Sequence, residues 1–437
     1  MSDDVDTYKR GFYRELVDGS NLQPNDARYV DLTGANDIDL CERLRKDIAW
    51  ASSDTTFQLV SGFRGAGKTT QLLRLRDKLR AEGYAVLYVN VEDYIEVNVP
   101  LDAPAFLITL VAGIEAAATG TSGDAFDPQN GTSLISRSDK EPWWDRVKRT
   151  LGTEVAITEL GVNVAGINVA AELKDNADFR RRVREASDKG VLAFRADAHD
   201  FVSELAEEIR EHDAQCEGVV VIADSLDHAD NRASFAELSQ SIAELFSAHI
   251  SLMRLPDVHV IYTVPPYLKM LQTGAADVRM QTTLKVTERN GEKAPGHDLL
   301  KRIIARRAPD GDWERLLSTD SLDKIITQSG GHLRDAFRLV AEVAATAGQL
   351  PADEQVVERA IDAIRNSFLP LADDEREWLR EVSETKTCAL PTADSWATLA
   401  ALFDRHLILG YLNGAEWYDV HPLVLPIIGK SDVGADS

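Results

Sequence analysis

The amino-acid sequence predicts an α/β fold with a parallel sheet covered by helices. Short β-branched runs alternate with helical patterns, and continuous apolar runs of this length suit strands buried on both faces. The predicted strands are FQLVS from Phe57, AVLYVNV from Ala85, GVVVIAD from Gly218, VHVIYTV from Val258 and TTLKVT from Thr282. Hydrophobic residues make up 44% of the 437-residue chain, which is ordinary for a folded protein and excludes wholesale disorder.

The pattern changes along the chain and predicts five segments. They are a helical lead-in at 1–50, a core built from 51–118 and 215–295, an insertion at 119–214, a helical lid at 296–370 and a winged-helix-like module at 371–437. The lead-in ends in the amphipathic stretch Asp39 to Trp50, and an apolar helix, Ala103 to Ala118, closes the first part of the core.

The insertion and the C-terminal module each contain a hairpin signal. Residues 154–173 partly alternate between apolar and polar types, which favours a β-hairpin, and residues 176–212 favour a long helix. Near the C-terminus, Asn413 and Gly414 lie between the apolar runs LILGYL and EWYDV. An Asn-Gly pair fits a tight hairpin turn. Helical patterns followed by this hairpin indicate a winged helix.

Charge and composition restrict the partners and the compartment. The formal net charge is −24, so nucleic acid binding would need a local basic patch that works against long-range repulsion. The acidic N-terminus has no secretory pattern, and no run of apolar residues predicts a membrane span. The cysteines, Cys41, Cys216 and Cys388, are far apart and read as reduced structural thiols. We therefore expect a cytoplasmic protein.

The segment GFRGAGKT matches the phosphate-loop pattern GxxxxGK[ST] in full. It follows a predicted strand and opens a helical stretch, so the N-terminus of that helix adds positive potential where phosphates bind. We expect Lys68 to reach the β- and γ-phosphates of ATP and Thr69 to supply a hydroxyl to Mg²⁺. The predicted nucleotide-binding residues are Gly62, Phe63, Arg64, Gly65, Ala66, Gly67, Lys68, Thr69 and Thr70. These features predict a P-loop NTPase core.

Acidic residues follow the third predicted strand, in VVVIADSLDHAD. Asp224 ends the apolar run, at the carboxyl edge of the sheet where ligands bind in open α/β folds, and is the predicted metal ligand. Asp227 is the candidate catalytic base, with capping of the following helix as its alternative role.

Two further polar residues are candidates for sensing the γ-phosphate. Thr263 lies near the end of the strand VHVIYTV. Arg334 lies in the first turn of a helix after Gly330 and Gly331, from which its guanidinium is within reach of a phosphate. A salt bridge to Asp335 or Glu342 is the alternative for Arg334.

Three arginines, Arg302, Arg306 and Arg307, form a basic cluster on one predicted helix. One of them is a candidate for acting in trans on the nucleotide of a neighbouring subunit, as arginine fingers do. A solvated helix face explains the cluster equally well. With a trans-acting arginine, self-association or a protein partner is the expected interaction.

The order of these signals resembles the AAA+/STAND division of P-loop ATPases, especially the branch related to origin-recognition ATPases. The shared signals are the phosphate loop, an apolar run ending in DSLD, a strand ending in Thr-x-Pro-Pro, GGxxRD, and then helices and a hairpin. The resemblance extends over about residues 40–430 and implies an ASCE/AAA+-like core.

Through this resemblance, Asp224 corresponds to the Walker B magnesium ligand, Thr263 to sensor 1 and Arg334 to sensor 2. STAND proteins commonly carry an acidic residue directly after the position of Asp227, where this chain has His228. The identity of the hydrolytic base therefore stays open.

The expected function is an ATP-hydrolysing switch that couples nucleotide state to rearrangement of the lid and the winged helix or to oligomerisation. The closing segment YLNGAEWYDVHPLV is similar to the winged-helix end of bacterial switch ATPases, some of which act in conflict or antiphage systems. One alternative is a DNA-associated loader or a regulator of transposition or replication. Residues 371–437 hold five Lys and Arg against twelve Asp and Glu, which disfavours DNA. The other alternative is a nucleotide-binding scaffold with little turnover.

Overall fold

The structure, a computed structural model, describes residues 2–18, 22–32, 39–95, 100, 102–120, 134–135, 140–151, 181, 185, 191–226, 235–271, 277–389 and 395–429. The predicted hairpin at 154–173 lies outside the described residues, and so do Asp227 and His228. Of the predicted helix at 176–212, residues Val191–His212 are described as one helix.

Within the described residues, five strands form one sheet. They are β1 Thr56–Gly62, β2 Tyr84–Asn90, β3 Gly218–Asp224, β4 His259–Val264 and β5 Val278–Gln281. The strand order is β2-β3-β4-β1-β5, and β1 with β4, β3 with β4, and β2 with β3 pair in parallel. Every residue of β3 and β4 is buried, as expected for strands inside an α/β fold. The predicted α/β fold with a parallel sheet is confirmed, and β1 to β4 begin and end within one residue of the predicted runs.

The helices have the following bounds: Ser2–Val17, Leu40–Ala49, Lys68–Ala81, Ala103–Thr119, Trp143–Leu151, Val191–His212, Phe235–Leu245, Ile250–Met253, Tyr267–Leu271, Pro295–Ala305, Thr319–Gln328, Leu333–Thr346, Glu354–Asn366, Asp373–Thr385, Trp396–Asp404 and Leu425–Ile428. Ala103–Thr119 shows why such a segment is helical: Asp102 caps its first turn by accepting from the Ala105 N–H at 3.1 Å, and Gly120 ends it in the left-handed conformation. Among the helices of the described chain, none is both long and apolar enough to cross a membrane.

The chain divides into two compact units, each built from separate stretches of sequence. The first unit comprises Met1–Leu40, Gly62–Thr70 and Met280–Ser437. The second comprises Cys41–Ser61 and Gln71–Arg279. The phosphate loop therefore belongs to the same unit as the N-terminal helix and the C-terminal module, and most of the sheet belongs to the other.

In the first unit, an antiparallel hairpin follows the last long helix, as predicted. Its strands are β6 Ile408–Asn413 and β7 Ala415–Val420, and the turn contains Gly414 with a φ of 65°. On one face of the hairpin, the rings of Tyr411 and Trp417 stack with centroids 4.5 Å apart. The Tyr411 hydroxyl donates to the Gly330 carbonyl at 2.7 Å. This bond fixes the hairpin against the glycine pair that precedes Arg334.

The prediction of a strand at TTLKVT, from Thr282, is wrong. The fifth strand of the sheet is β5, which ends at Gln281, and residues 282–286 have no regular secondary structure. Their backbone groups bond elsewhere within the first unit. The Thr283 N–H donates to the Gly410 carbonyl at 2.9 Å, and the Val286 carbonyl accepts from the Ala294 N–H at 3.1 Å. The apolar side chains of Leu284 and Val286 are buried as expected, although this segment is not a strand of the five-stranded sheet.

The second unit has an aromatic core on the helices beside the sheet. Trp143 packs against Phe194 and Phe201, with ring centroids 5.8 and 5.3 Å apart. The Trp143 ring N–H donates to the carbonyl of Ile108, at 3.2 Å, so this fully buried indole has a partner for its one polar atom. The helix Val191–His212 packs against Ala103–Thr119 and so joins this core to the sheet.

Candidate nucleotide-binding site

The phosphate loop leaves the end of β1 in a conformation that only glycine adopts readily. Gly62, Gly65 and Gly67 have φ angles of 151°, 87° and 88°. Space is restricted as well, because a Cβ added at Gly62 would lie 2.5 Å from the Gln281 carbonyl oxygen. One added at Gly65 would lie 3.0 Å from the Cβ of Arg334. The loop therefore needs all three glycines for its turn, and it needs Gly62 and Gly65 for its packing as well.

Lys68 begins the helix Lys68–Ala81 and is buried, with 5% of its surface exposed. Its ammonium donates to two carbonyls of the loop, Gly62 at 2.7 Å and Phe63 at 2.9 Å. A buried ammonium is compensated only by such hydrogen bonds or by an opposite charge. The arrangement thus keeps a positive charge against the loop backbone and at a helix N-terminus, where phosphate groups bind.

The loop is backed by the C-terminal module within the first unit. The rings of Phe63 and Phe403 pack with centroids 5.5 Å apart, and a Cβ added at Gly410 would lie 3.1 Å from the Phe63 ring. The Arg64 carbonyl accepts a hydrogen bond from His332 Nε2 at 2.6 Å. The loop is therefore held at two successive residues, one by an aromatic contact and one by a hydrogen bond.

Arg334, the predicted sensor, lies beside the phosphate loop. It is exposed and occupies the first turn of the helix Leu333–Thr346, and its Cβ is next to Gly65 as described above. The structure does not show the predicted alternative, a salt bridge between Arg334 and Asp335. Asp335 is buried and bonds to His332 and Arg338 instead.

A buried polar cluster, formed by His332, Asp335, His406 and His421, lies behind the loop. Asp335 Oδ2 is 2.7 Å from His332 Nδ1 and 3.3 Å from His421 Nε2, and Asp335 Oδ1 accepts from Arg338 at 2.9 Å. Burial raises the pKa of Asp335, but the charge and hydrogen bond of His332, followed by His421, outweigh it and hold this pKa well below the usual range. Asp335 is therefore ionised.

The pKa values of His406 and His421 are both lowered, in each case first by burial, and for His406 secondly by the charge of His332. These two rings are therefore neutral in the folded protein. For His421, the hydrogen bond to Asp335 opposes the effect of burial without reversing it.

We expect the first unit to be less stable at pH 5 than at pH 7. Below the histidine value of about 6.5 the unfolded chain protonates rings that the folded chain keeps neutral, so stability falls as protons are added. The low pKa of Asp335 has the same sign of effect, but only below the ordinary carboxylate value of about 3.9, so it adds little between pH 7 and pH 5. The thermal unfolding midpoint at the two pH values measures this. His406→Asn should reduce the difference between the two midpoints, and asparagine tolerates the φ of 56° at this position. His212→Asn, at an exposed position, should leave the difference unchanged. Equal midpoints at both pH values would contradict the expectation.

In the second unit, Asp224 is at the end of β3 with 2% of its surface exposed. Its Oδ2 accepts from the Tyr88 hydroxyl at 2.5 Å, and its Oδ1 accepts from the Ser225 N–H at 2.7 Å. Ser225 has a φ of 74°, so the chain turns sharply directly after the carboxylate. The carboxylate is fixed in one orientation at the carboxyl edge of the parallel sheet.

Thr263 lies beside this turn, near the end of β4. It is fully buried, and its hydroxyl accepts from the Leu226 N–H at 3.3 Å. The bond ties the end of β4 to the segment that leads from Asp224 toward Asp227. Asp227 itself, the candidate base, lies outside the described residues.

The three arginines of the predicted cluster have different surroundings. Arg302 and Arg306 are exposed, and Arg306 donates to the Ala27 carbonyl at 2.8 Å. Arg307 is buried, lies over the Phe337 ring at 4.3 Å and donates to the Ile303 carbonyl. In this arrangement Arg307 is not accessible to a neighbouring subunit, so only Arg302 and Arg306 remain candidates of the three.

Sequence reasoning missed Tyr88 and His332. Each carried a signal: a tyrosine within a buried strand needs a partner for its hydroxyl, and a histidine directly after a glycine pair lies at a helix start. Neither signal identifies the partner, which is Asp224 in one case and the Arg64 carbonyl in the other.

Comparison with solved structures finds similar chains of low sequence identity. The ORC2 protein of Aeropyrum pernix, solved in ADPNP and ADP complexes, is 13% identical and covers 95% of this chain and 97% of its own, with a TM-score of 0.39. Cdc6p of Pyrobaculum aerophilum is 12% identical over 94% of this chain and 97% of its own, with a TM-score of 0.35. The Walker-type ATPase PABY2304 of Pyrococcus abyssi is 14% identical over 90% of this chain and 96% of its own, with a TM-score of 0.40. No protein-family model and no curated protein matches the chain.

Proposed function

We propose that this chain binds ATP with Mg²⁺, hydrolyses it, and works as a nucleotide-dependent switch of the AAA+/STAND type. The observation that carries the proposal is the conformation of the phosphate loop. Three glycines at positive φ lead into a helix whose first residue, Lys68, holds its buried ammonium against the loop carbonyls. This is the charge and backbone geometry that triphosphate binding requires.

The donor set fits magnesium, which prefers oxygen ligands and keeps several of its waters. In the proposal, the Thr69 hydroxyl and the Asp224 carboxylate hold the ion, which supplies neutralisation of the phosphate charge. Asp224 suits this role because Tyr88 and the Ser225 N–H already orient both of its oxygens. Lys68 binds the β- and γ-phosphates, and Asp227 activates the attacking water.

Thr263 and Arg334 complete the proposed site as the groups that respond to the γ-phosphate. Arg334 can transmit this response, because it begins the helix that follows the glycine pair bound by the hairpin. The loop also contacts the C-terminal module directly through Phe63 and Phe403. A conformational change of the phosphate loop would therefore alter its contacts with the lid and with the C-terminal module. A switch needs this kind of coupling.

The partner in this proposal is a protein, either a second copy of the chain or an effector, and the setting suggested by the resemblance is a bacterial conflict or antiphage system. The excess of acidic residues in 371–437 favours protein contact over DNA. Arg302 and Arg306 are the exposed residues proposed to act across a subunit interface.

Calorimetric titration of the purified chain with ATP and Mg²⁺, together with phosphate release, tests the core of the proposal. We expect saturable binding and steady turnover. A wild-type chain that holds no ATP in the presence of magnesium would rule the proposal out. Binding without turnover would instead identify a nucleotide-binding scaffold.

Tyr88→Phe is expected to weaken the use of magnesium. Removing the hydroxyl leaves Asp224 Oδ2 without the bond that orients it, and loss of such an orienting partner typically lowers metal affinity about 10-fold to 100-fold. The measurement is the Mg²⁺ concentration at half-maximal turnover. The matched control is Tyr262→Phe, which removes another buried hydroxyl of the same unit that bonds the Met253 carbonyl. If both variants need the same magnesium concentration as the wild type, Tyr88 does not orient a metal ligand.

A further inference from the structure

Both ring nitrogens of His332 face hydrogen-bond acceptors. Nδ1 is 2.7 Å from the Asp335 carboxylate, and Nε2 is 2.6 Å from the Arg64 carbonyl. A carbonyl oxygen can only accept, and so can an ionised carboxylate. Each ring nitrogen must therefore carry a hydrogen, which makes His332 a doubly protonated imidazolium even though its side chain is fully buried.

The surroundings supply the compensation that a buried cation requires. Among the described residues, three titratable groups contact His332: Asp335 on the helix that His332 precedes, His406 before β6 and His421 after β7. Arg338 pairs with Asp335, and Arg334 acts on His406. Only Asp335 is negative. The His406 ring is neutral and packs on His332 with centroids 4.5 Å apart.

His421 completes the cluster in a defined tautomer. Its Nδ1 accepts from the Leu423 N–H at 3.2 Å, so the hydrogen of the neutral ring is on Nε2, which faces Asp335. One possible metal-ligating atom from each of His332, Asp335 and His421 lies within 4.8 Å of the other two, as in a metal site. However, His332 uses both nitrogens as donors and His421 Nε2 carries hydrogen, so no ring lone pair is directed at the centre of the cluster. The cluster binds a proton rather than a metal.

The bond to Arg64 has a consequence for the phosphate loop. The Arg64–Gly65 peptide is trans, and in a trans peptide the C=O and the following N–H point in opposite directions. By holding the Arg64 carbonyl, His332 directs the Gly65 N–H to the other side of the peptide plane. Backbone N–H groups of this loop are the donors that a phosphate would use.

We propose that His332, as a buried imidazolium held by Asp335, is a positioning residue that orients the Arg64–Gly65 peptide of the phosphate loop for nucleotide binding. The inference rests on the proposed function for its ligand, ATP, and on the geometry of the first unit for its mechanism. It adds a requirement that the phosphate-loop pattern itself does not contain, since the loop conformation depends on a proton carried by a residue about 270 positions further along the chain.

The pH dependence follows from the count of donors. When the ring loses one hydrogen, it can serve Asp335 or Arg64 but not both, so the peptide is released in part of the molecules. A hydrogen bond to a charged group is worth enough to change affinity about 10-fold. We therefore expect the affinity for ATP with Mg²⁺ to fall about 10-fold at the pH where the ring loses one hydrogen, and the measurement covers about pH 7 to about pH 9.5.

The test is a calorimetric titration with ATP and Mg²⁺ over this pH range for wild type, His332→Gln and Asp335→Asn. His332→Gln has no proton to lose, so its weaker affinity should not change with pH beyond the change intrinsic to ATP. Asp335→Asn removes the carboxylate that stabilises the imidazolium, so the fall should move to lower pH. The control is His297→Gln, another buried histidine of the same unit, which should keep the wild-type profile. Parallel profiles for wild type and His332→Gln would overturn the proposal.

A second measurement needs no stable variant and no nucleotide. In wild-type protein labelled with ¹⁵N-histidine, both ring nitrogens of His332 should show protonated shifts at neutral pH. An unprotonated nitrogen, or stoichiometric zinc in the purified protein, would overturn the inference whether or not ATP binds. Conversely, an imidazolium in a chain that binds no ATP would leave the protonation intact and remove the proposed function.

Discussion

Lys68→Ala is expected to lower ATP turnover by at least about 100-fold, the size of effect seen when a preorganised donor to a developing charge is removed. Lys68 is the buried cation of the loop, and its ammonium is bound to the Gly62 and Phe63 carbonyls. Alanine removes the charge that would meet the β- and γ-phosphates. Phosphate release under saturating ATP and Mg²⁺ measures the turnover, and calorimetry measures the affinity.

The matched control for this variant is Lys285→Ala. Lys285 is also buried and in the same unit, but its ammonium pairs with Glu288 at 3.0 Å and is not part of the loop. Any loss through destabilisation alone should appear in both variants. Turnover in Lys68→Ala within a few-fold of that in Lys285→Ala would show that the loop is not where the phosphates bind.

Gly331→Ala should have the largest effect on stability. An added Cβ would lie 1.7 Å from the Leu284 carbonyl oxygen and 2.8 Å from its carbon, and the residue has a φ of 82°. Positive φ costs about 1–2 kcal/mol for alanine, and a backbone clash of this kind raises the total to roughly 3–5 kcal/mol. In a unit of this size, the midpoint of thermal unfolding would fall by roughly 10 °C.

Gly291→Ala separates the two contributions. Gly291 has a similar φ of 86°, but an added Cβ there would meet nothing within 4 Å. It should lose only the conformational part, about 1–2 kcal/mol. If the two variants unfold at the same temperature, the close approach of Gly331 to Leu284 does not contribute to stability.

The parts of the fold that sequence predicts well are those determined by near neighbours in the chain. The run Gly218 to Asp224 forms β3 as predicted, because a continuous apolar stretch bounded by polar residues has one natural place inside a sheet. The phosphate loop is recognisable for the same reason, since its glycines, Lys68 and the following helix are consecutive. The hairpin at Gly414 is a third local case.

The parts that sequence does not predict depend on partners far along the chain. Thr282 to Thr287 has the composition of a strand, yet Thr283 bonds to Gly410, more than a hundred residues away. Asp335 looks like a surface carboxylate beside Arg334, but it is buried and faces His421, which is more than eighty residues away. Only the fold brings these residues together, so no window of sequence contains the information.

The packing of Phe63 on Phe403 has a consequence for synthesis of the protein on the ribosome. The loop at 62–70 is translated early. Its aromatic contact, with Phe403, and its hydrogen bond, from His332, involve residues that are translated more than two hundred positions later. A nascent chain that has emerged only through the sheet would carry the loop without this support. Synthesis of the chain as far as Phe403, rather than emergence of the loop, therefore completes the contacts that support the phosphate loop.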